Sequence, residues 1–312
     1  MAAKVSKISS PISIRFFSFQ RHPSTIPASV SFTLLNLSRP SAFSSGDSLG
    51  QRSNNTAVRR VRRDQTSVTA SMLPENPVTR DLCLATLTGC VALSLLRFWG
   101  EMAKLGILEQ KISRKLVHIS VGLVFMLFWP LFSSGHQAAV LAALVPGVNI
   151  IRMLLLGLGL LKDEAIVKSM SRNGDYRELL KGPLYYAATI TLACAIYWRT
   201  SPIAIAAICN LCAGDGLADI VGRRFGSLKL PYNRNKSFAG SIAMASAGFI
   251  ASIMYMHYFS LFGLVHRSWE MVFGFLIVSL LTAVVESLPI SSELDDNLTV
   301  PLTSVLIGNL VF

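Results

Sequence analysis

From about residue 81 onward the chain alternates long apolar runs with short charged segments. The runs cover about 81–96, 116–134, 138–161, 184–201, 203–221, 238–262, 271–290 and 298–312. Several approach the roughly 20 residues that a helix needs to cross the hydrocarbon core. The pattern therefore predicts an all-α, polytopic membrane protein with seven or eight transmembrane helices. The eighth run is the short one. The third contains Pro146, Asn149 and Arg152 and is expected to be broken or partly re-entrant. No repeat of fixed period runs through the series.

Charge sorts the connections into two sets. Those after the first, third and fifth runs carry five Lys/Arg each: Arg97, Lys104, Lys111, Arg114 and Lys115; Lys162, Lys168, Arg172, Arg177 and Lys181; Arg223, Arg224, Lys229, Arg234 and Lys236. Those after the second, fourth and sixth offer only Arg199 and Arg267. Such asymmetry orients a polytopic protein, because loops rich in Lys and Arg resist translocation. Alternation then puts the segment after the seventh run on the basic side. Glu293, Asp295, Asp296 and Asn297 thereby face the positive loops, and Asp219, Lys236 and Asp296 gather at one membrane face.

Composition agrees with the pattern. Hydrophobic residues make up 52% of the 312 and charged ones 15%, with a mean hydropathy of +0.51, against about 25% charged in an average soluble domain. The net charge of +12 is concentrated in residues 1–72, which hold ten Lys/Arg against Asp47 and Asp64. That segment also has sixteen serines and no continuous apolar run. Arg- and Ser-rich, acid-poor composition is that of a transit peptide. The expected division is a chloroplast transit peptide over 1–72, with cleavage near Ala70 to Met72, and a membrane-embedded domain over 73–312. With the excess charge so placed, nucleic acid is not an expected partner; the lipid bilayer is. The five cysteines lie in apolar segments and read as small hydrophobes. Cys209 and Cys212 form a CxxC without a second pair, a weak zinc or redox signal.

The chemistry concentrates in CAGDGLADIVGRRFG, Cys212 to Gly226, and PYNRNKSFAGS, Pro231 to Ser241. Asp215 and Asp219 are four apart and share a helical face. Each costs about 2.5–3.5 kcal/mol at the centre of a membrane helix, so each calls for a functional reason. The basic residues that follow, Arg223 to Lys236, come without one acid. That arrangement suits a polyphosphate neutralised by Mg²⁺ on Asp215 and Asp219. Lys236, with Ser237 beside it, would hold phosphate oxygens where the sixth run begins, since free amides at a helix start favour anions. Arg223 is the next phosphate candidate. Gly214, Gly216 and Gly222 would let backbone approach phosphates, or let helices pack closely. His118 reads either as a phosphate donor or as a helix-packing histidine, and Lys181 as a phosphate contact or a snorkelling end residue. There is no GxxxxGK[ST] and no HRD or DFG set, so soluble P-loop or protein-kinase architecture is not supported.

Several of these motifs together carry a resemblance. GDGLADIVGRRFG followed by PYNRNKSFAGS, RKLVHISVG from Arg114 to Gly122, ELLKGPLYY from Glu178 to Tyr186, and VESLPISSELDDNLTVPL from Val285 to Leu302 resemble the plant phytol and farnesol kinases of the polyprenol kinase family. The likeness covers roughly residues 75–312. It implies transfer of the terminal phosphoryl group of a nucleoside triphosphate, typically CTP, to an isoprenoid alcohol such as farnesol, geranylgeraniol or phytol, in a plastid membrane. FWGEMAKLGI, Phe98 to Ile107, and CNLCAGDGLADIVGRRFG are closer to the farnesol kinases, and a phytol kinase feeding tocopherol synthesis is the alternative within the family. Glu286, inside the seventh run, and Asp296 are then open to two roles, a second metal contact or a base for the alcohol. A wider likeness, D-x3-D followed by K-S-x-x-G, connects the region to CDP-diacylglycerol synthases, so a lipid cytidylyltransferase is the alternative enzyme. A transporter also places charges at mid-membrane, but the acid-free basic loop beside the aspartates and the lack of inverted-repeat symmetry stand against it.

Overall fold

Helices form where the apolar runs lie, because a backbone in hydrocarbon must satisfy its own hydrogen bonds. The computed structural model describes residues 74–171, 174–289 and 294–312. The expected transit segment, Arg172 and Glu293 lie outside the described residues. Helix α1 (Pro77–Lys104) opens with Asn76, whose side chain accepts from the Val78 and Thr79 amides, and with proline at its first position. Next come α2 (Gln110–Leu127), extended by a 3₁₀ turn to Leu131, α3 (His136–Gly157) and a short α4 (Glu164–Met170). A 3₁₀ turn (Tyr176–Leu180) leads into α5 (Gly182–Leu192), which ends in a π turn (Ala193–Tyr197). Then follow α6 (Pro202–Cys209), a π turn (Asn210–Asp215), α7 (Gly216–Phe225), strands β1 (Lys229–Leu230) and β2 (Asn233–Ser237), α8 (Phe238–Leu261), α9 (Trp269–Ser287) and α10 (Asp296–Val311).

Seven helical segments of the described residues are long and apolar enough to cross a membrane, and α10, with 16 residues, is the short eighth. The expected all-α, polytopic architecture holds. The expected break in the third run does not: α3 is continuous through Pro146, as membrane helices allow when neighbours take up the freed backbone groups. The irregularities fall instead in the fourth and fifth segments, at the two π turns.

The fifth segment, Pro202–Phe225, is central: 78% of its apolar window is buried, against 11–44% for the other six. Against it lies α8, which buries Gly240, Met244, Gly248 and Ser252 at every fourth position. Small residues on the facing helix complete the fit. A Cβ added at Gly240 would sit 3.1 Å from the Ala218 carbonyl, one at Gly214 would sit 3.3 Å from that of Met244, and one at Gly248 would overlap the Asn210 side chain. Lipid gives no hydrophobic drive between helices, so close backbone approach of this kind supplies the van der Waals attraction. Gly248→Val should therefore destabilise the protein by about 1–3 kcal/mol through overpacking. Its denaturation midpoint in detergent should fall, whereas Gly100→Ala, with nothing within 4 Å of the new Cβ, should leave it unchanged. Outward, Val140, Ile250, Met254, Phe273 and Leu306 are exposed, an apolar exterior suited to lipid. Cys194, Cys209 and Cys212 are buried as expected, but Cys83 and Cys90 are exposed on α1.

The connections meet at two ends of the bundle, grouped as alternation of the spans predicts. At one end Asp81 accepts from Ser133, and Arg199 donates to the carbonyls of Trp129, Phe132 and Ser133. At the other, Gln110 donates to the Lys168 carbonyl, Tyr232 bonds Ser287, and Lys236 meets Asp296. Cysteines placed singly at 110, 228 and 294 in a Cys-free variant should react from one side of the membrane, and those at 135 and 266 from the other. Labelling of 228 and 294 from opposite sides would refute this arrangement.

Candidate active site

The β1–β2 hairpin positions the first cation. It is antiparallel and ends at Ser237, whose side chain caps α8 by accepting from the Gly240 amide at 3.2 Å. Asn233 fixes it to the end of α9 by donating to the carbonyls of Ser287 and Leu288, at 3.0 and 3.3 Å. Lys236 is thereby held over two carboxylates. Its ammonium pairs with Glu286, a buried residue at the close of α9, and with Asp296 at 3.2 Å, the first residue of α10. Burial acts against the charged form of Lys236, yet the Asp296 and Glu286 carboxylates outweigh it and hold the ammonium above the ordinary lysine range.

A second cation comes from α2. Lys115 donates to Asp215 at 2.9 Å, and Nε2 of His118 lies 3.4 Å from the same carboxylate oxygen. That nitrogen also meets the Leu211 carbonyl at 2.9 Å. Asp215 closes the π turn, and its side chain is only 4% exposed. π turns are frequent at functional sites, because the wide turn re-aims the side chains on it.

Among the described residues, one group of acids converges. Single carboxylate oxygens of Asp215, Glu286 and Asp296 lie within 4.8 Å of one another. Three carboxylates face the two ammoniums of Lys115 and Lys236. Beside them, Oδ1 of Asp296 and Oδ1 of Asn297 are buried without a hydrogen-bond partner. Hard oxygen donors with residual negative charge and unsatisfied lone pairs are a donor set that fits a divalent cation such as Mg²⁺.

The residues expected from the sequence are brought together in part. Asp215, Lys236, Glu286 and Asp296 share the cluster. Asp219 stands one turn further along α7, 25% exposed and paired with Arg223 at 2.9 Å, outside the group. Gly214 and Gly222 face α8, and an added Cβ at Gly216 would overlap Ile119 of α2, so all three glycines are helix contacts. Ser237 spends its hydroxyl on the helix cap. The partnership of Lys115 with Asp215 spans 100 positions. Its only trace in the sequence is the basic pair preceding His118.

Next to the cluster lies a cavity of about 760 Å³ between α1, α2, α3 and α5. Lys115, His118, Lys181, Asp295 and Asn297 line its polar end. Ala85, Gly89, Phe125 and Leu141 are among the apolar residues lining the remainder. Tyr186, also on the wall, donates to the His118 carbonyl at 2.7 Å and stacks obliquely on its ring.

Comparison with known proteins adds the following. No family model matches the chain, and no solved structure does. The chain is 67% identical over 251 residues to probable phytol kinase 2, chloroplastic, of Oryza sativa subsp. japonica, covering 80% of this chain and 83% of that protein. It is 64% identical over 248 residues to farnesol kinase, chloroplastic, of Arabidopsis thaliana, covering 80% and 81%. It is 42% identical over 253 residues to phytol kinase 1, chloroplastic, of the same plant, covering 80% and 83%.

Proposed function

The chain belongs to the family of chloroplastic phytol and farnesol kinases, and from that premise we propose that it phosphorylates a prenyl alcohol, farnesol foremost, with CTP and Mg²⁺ in a plastid membrane. The observation that carries this reading is the cluster of Asp215, Glu286 and Asp296 with Lys115 and Lys236 at the polar end of an intramembrane cavity. Phosphoryl transfer asks for little covalent work by the protein. It needs positive charge set against the phosphate oxygens, an in-line hydroxyl and exclusion of water.

Asp215, Glu286 and Asp296 would hold Mg²⁺, which supplies positive charge to the triphosphate when bound. Lys236 and Lys115 bring two further ammoniums to the same point, and a triphosphate would exchange carboxylate partners for phosphate oxygens around them. The buried setting strengthens these interactions, because preorganised charge in a low dielectric acts on the charge of the transition state without solvent reorganisation. The alcohol oxygen bonds to the terminal phosphorus as the bond to the bridging oxygen breaks. The electron pair leaves on the nucleoside diphosphate, and the hydroxyl proton passes to a carboxylate of the cluster. Arg223, half-exposed and paired with Asp219 on α7, would meet the nucleotide from water.

Purified protein given γ-labelled CTP, Mg²⁺ and farnesol should yield labelled farnesyl phosphate. Release of the label as pyrophosphate, with cytidine entering a lipid, would overturn the kinase reading in favour of a cytidylyltransferase. Residues 1–72 are proposed as the plastid address, on their Arg/Ser-rich, acid-poor composition. Fused to a fluorescent reporter they should carry it into plastids, and a reporter left in the cytosol would refute the assignment.

A further inference from the structure

We infer that the cavity between α1, α2, α3 and α5 is the acceptor site, and that its depth below Lys115 is the ruler for prenyl chain length. This rests on the prenol-kinase reading and deepens it. The cavity touches the carboxylate cluster through Lys115 and His118, both of which contact Asp215. A hydroxyl lodged at that end is therefore beside the reacting groups, and whatever trails from it lies among apolar side chains.

The walls fit a flexible hydrocarbon. Along α2 the lining runs from Lys115 to Phe125, and along α3 from Arg152 to Leu141, which at 1.5 Å per residue is a depth of about 15 Å. Phe125 helps close the deep end and is itself fixed, 4% exposed and edge-on to Trp129 at 5.9 Å. On α1 the lining residues Ala85, Gly89 and Ala92 leave the waist wide. A Cβ added at Gly89 would find only Val145, at 3.9 Å. Leu93, Leu144 and Val148 line the cavity yet are 47%, 51% and 63% exposed, so it opens sideways between α1 and α3 towards hydrocarbon. A bilayer-dissolved alcohol can enter there without crossing water.

Volume supports more than one chain length. At about 30 Å³ per non-hydrogen atom, the share a water molecule takes of its liquid, a C15 alcohol needs about 480 Å³ and a C20 alcohol about 630 Å³. Both are smaller than the 760 Å³ present. The wild-type protein should therefore accept geranylgeraniol and phytol as well as farnesol, with discrimination set by the residues that bound the deep half.

A substitution series reads the ruler. Ala85→Phe narrows the deep half and should raise KM for the C20 alcohols about 10-fold more than it raises KM for farnesol. Gly89→Phe blocks the waist and should impair C15 and C20 together, with the C10 alcohol geraniol still turned over. An independent measurement uses the wild-type protein and a farnesol analogue with a diazirine at the tail. On irradiation it should label peptides of α1 and α3, and farnesol should compete. An active wild type whose C10, C15 and C20 preferences are unmoved by both substitutions, or tail labelling confined to α8 and α9, overturns the cavity assignment while leaving the kinase reading intact. A wild type that phosphorylates no prenol, tested without the variants, defeats the kinase reading itself.

Discussion

Asp215→Asn is expected to lower prenol phosphorylation by about 10²–10³-fold, the loss typical of removing one preorganised charge from a reaction centre. The reason lies in its position. One oxygen of Asp215 meets both Lys115 and His118, and the carboxylate also belongs to the cluster with Glu286 and Asp296. Asparagine keeps the shape but removes a negative charge. It therefore leaves the Lys115 ammonium without its anion and weakens any hold on a divalent cation. Membrane insertion should not suffer, since a neutral side chain enters a span more easily than a charged one. Turnover of γ-labelled CTP per inserted protein is the measurement, and a near-normal rate would remove Asp215 from the reaction. Asp219→Asn is the informative partner. An exposed pair such as Asp219 with Arg223 contributes about 0–1 kcal/mol, so its stability should barely change. A loss of turnover as deep as that of Asp215→Asn would bring Asp219 to the nucleotide. A mild loss would leave it as the partner of Arg223.

The second large effect is expected from Lys236→Met. Glu286 is 4% exposed, and Lys236 supplies the positive charge beside both it and Asp296. Removing one member of a buried ion pair costs about 3–5 kcal/mol, because the remaining charge stays desolvated. Two carboxylates would here be left facing one another. The variant should melt several degrees lower in detergent and lose turnover. The double variant Lys236→Met/Glu286→Gln separates the two effects. It should recover much of the melting temperature, since replacing both partners removes the stranded charge, but not the activity. Recovery of turnover in the double variant would show that Lys236 serves the fold alone. The linkage runs in one direction: a lysine held above its ordinary range stabilises the fold at all pH values below that range, and the contribution fades only as pH rises through its elevated value. Between pH 6 and 9 the melting difference between wild type and Lys236→Met should therefore not arise from titration of Lys236.

The sequence by itself determined the helices, the way their ends alternate and the short list of acids worth considering. Apolar runs near membrane thickness have one solution in hydrocarbon, and lopsided loop charge assigns their ends. Glu286 and Asp215 drew notice because buried carboxylates are costly wherever the chain folds. Only the tertiary structure decided which of these groups meet. Periodicity compares residues four apart, which joined Asp215 to Asp219. The cluster instead joins Asp215 to Lys115, 100 positions away, and Lys236 to Glu286 and Asp296, 50 and 60 away. Those pairings depend on helices brought close by the Gly214, Gly222, Gly240 and Gly248 contacts, on a hairpin fixed through Asn233, and on the π turn that ends at Asp215. The cavity belongs to the same category. Its walls come mainly from four helices, and its width comes from what Ala85, Gly89 and Ala92 leave empty, a property of packing that the chain acquires only when those helices stand side by side.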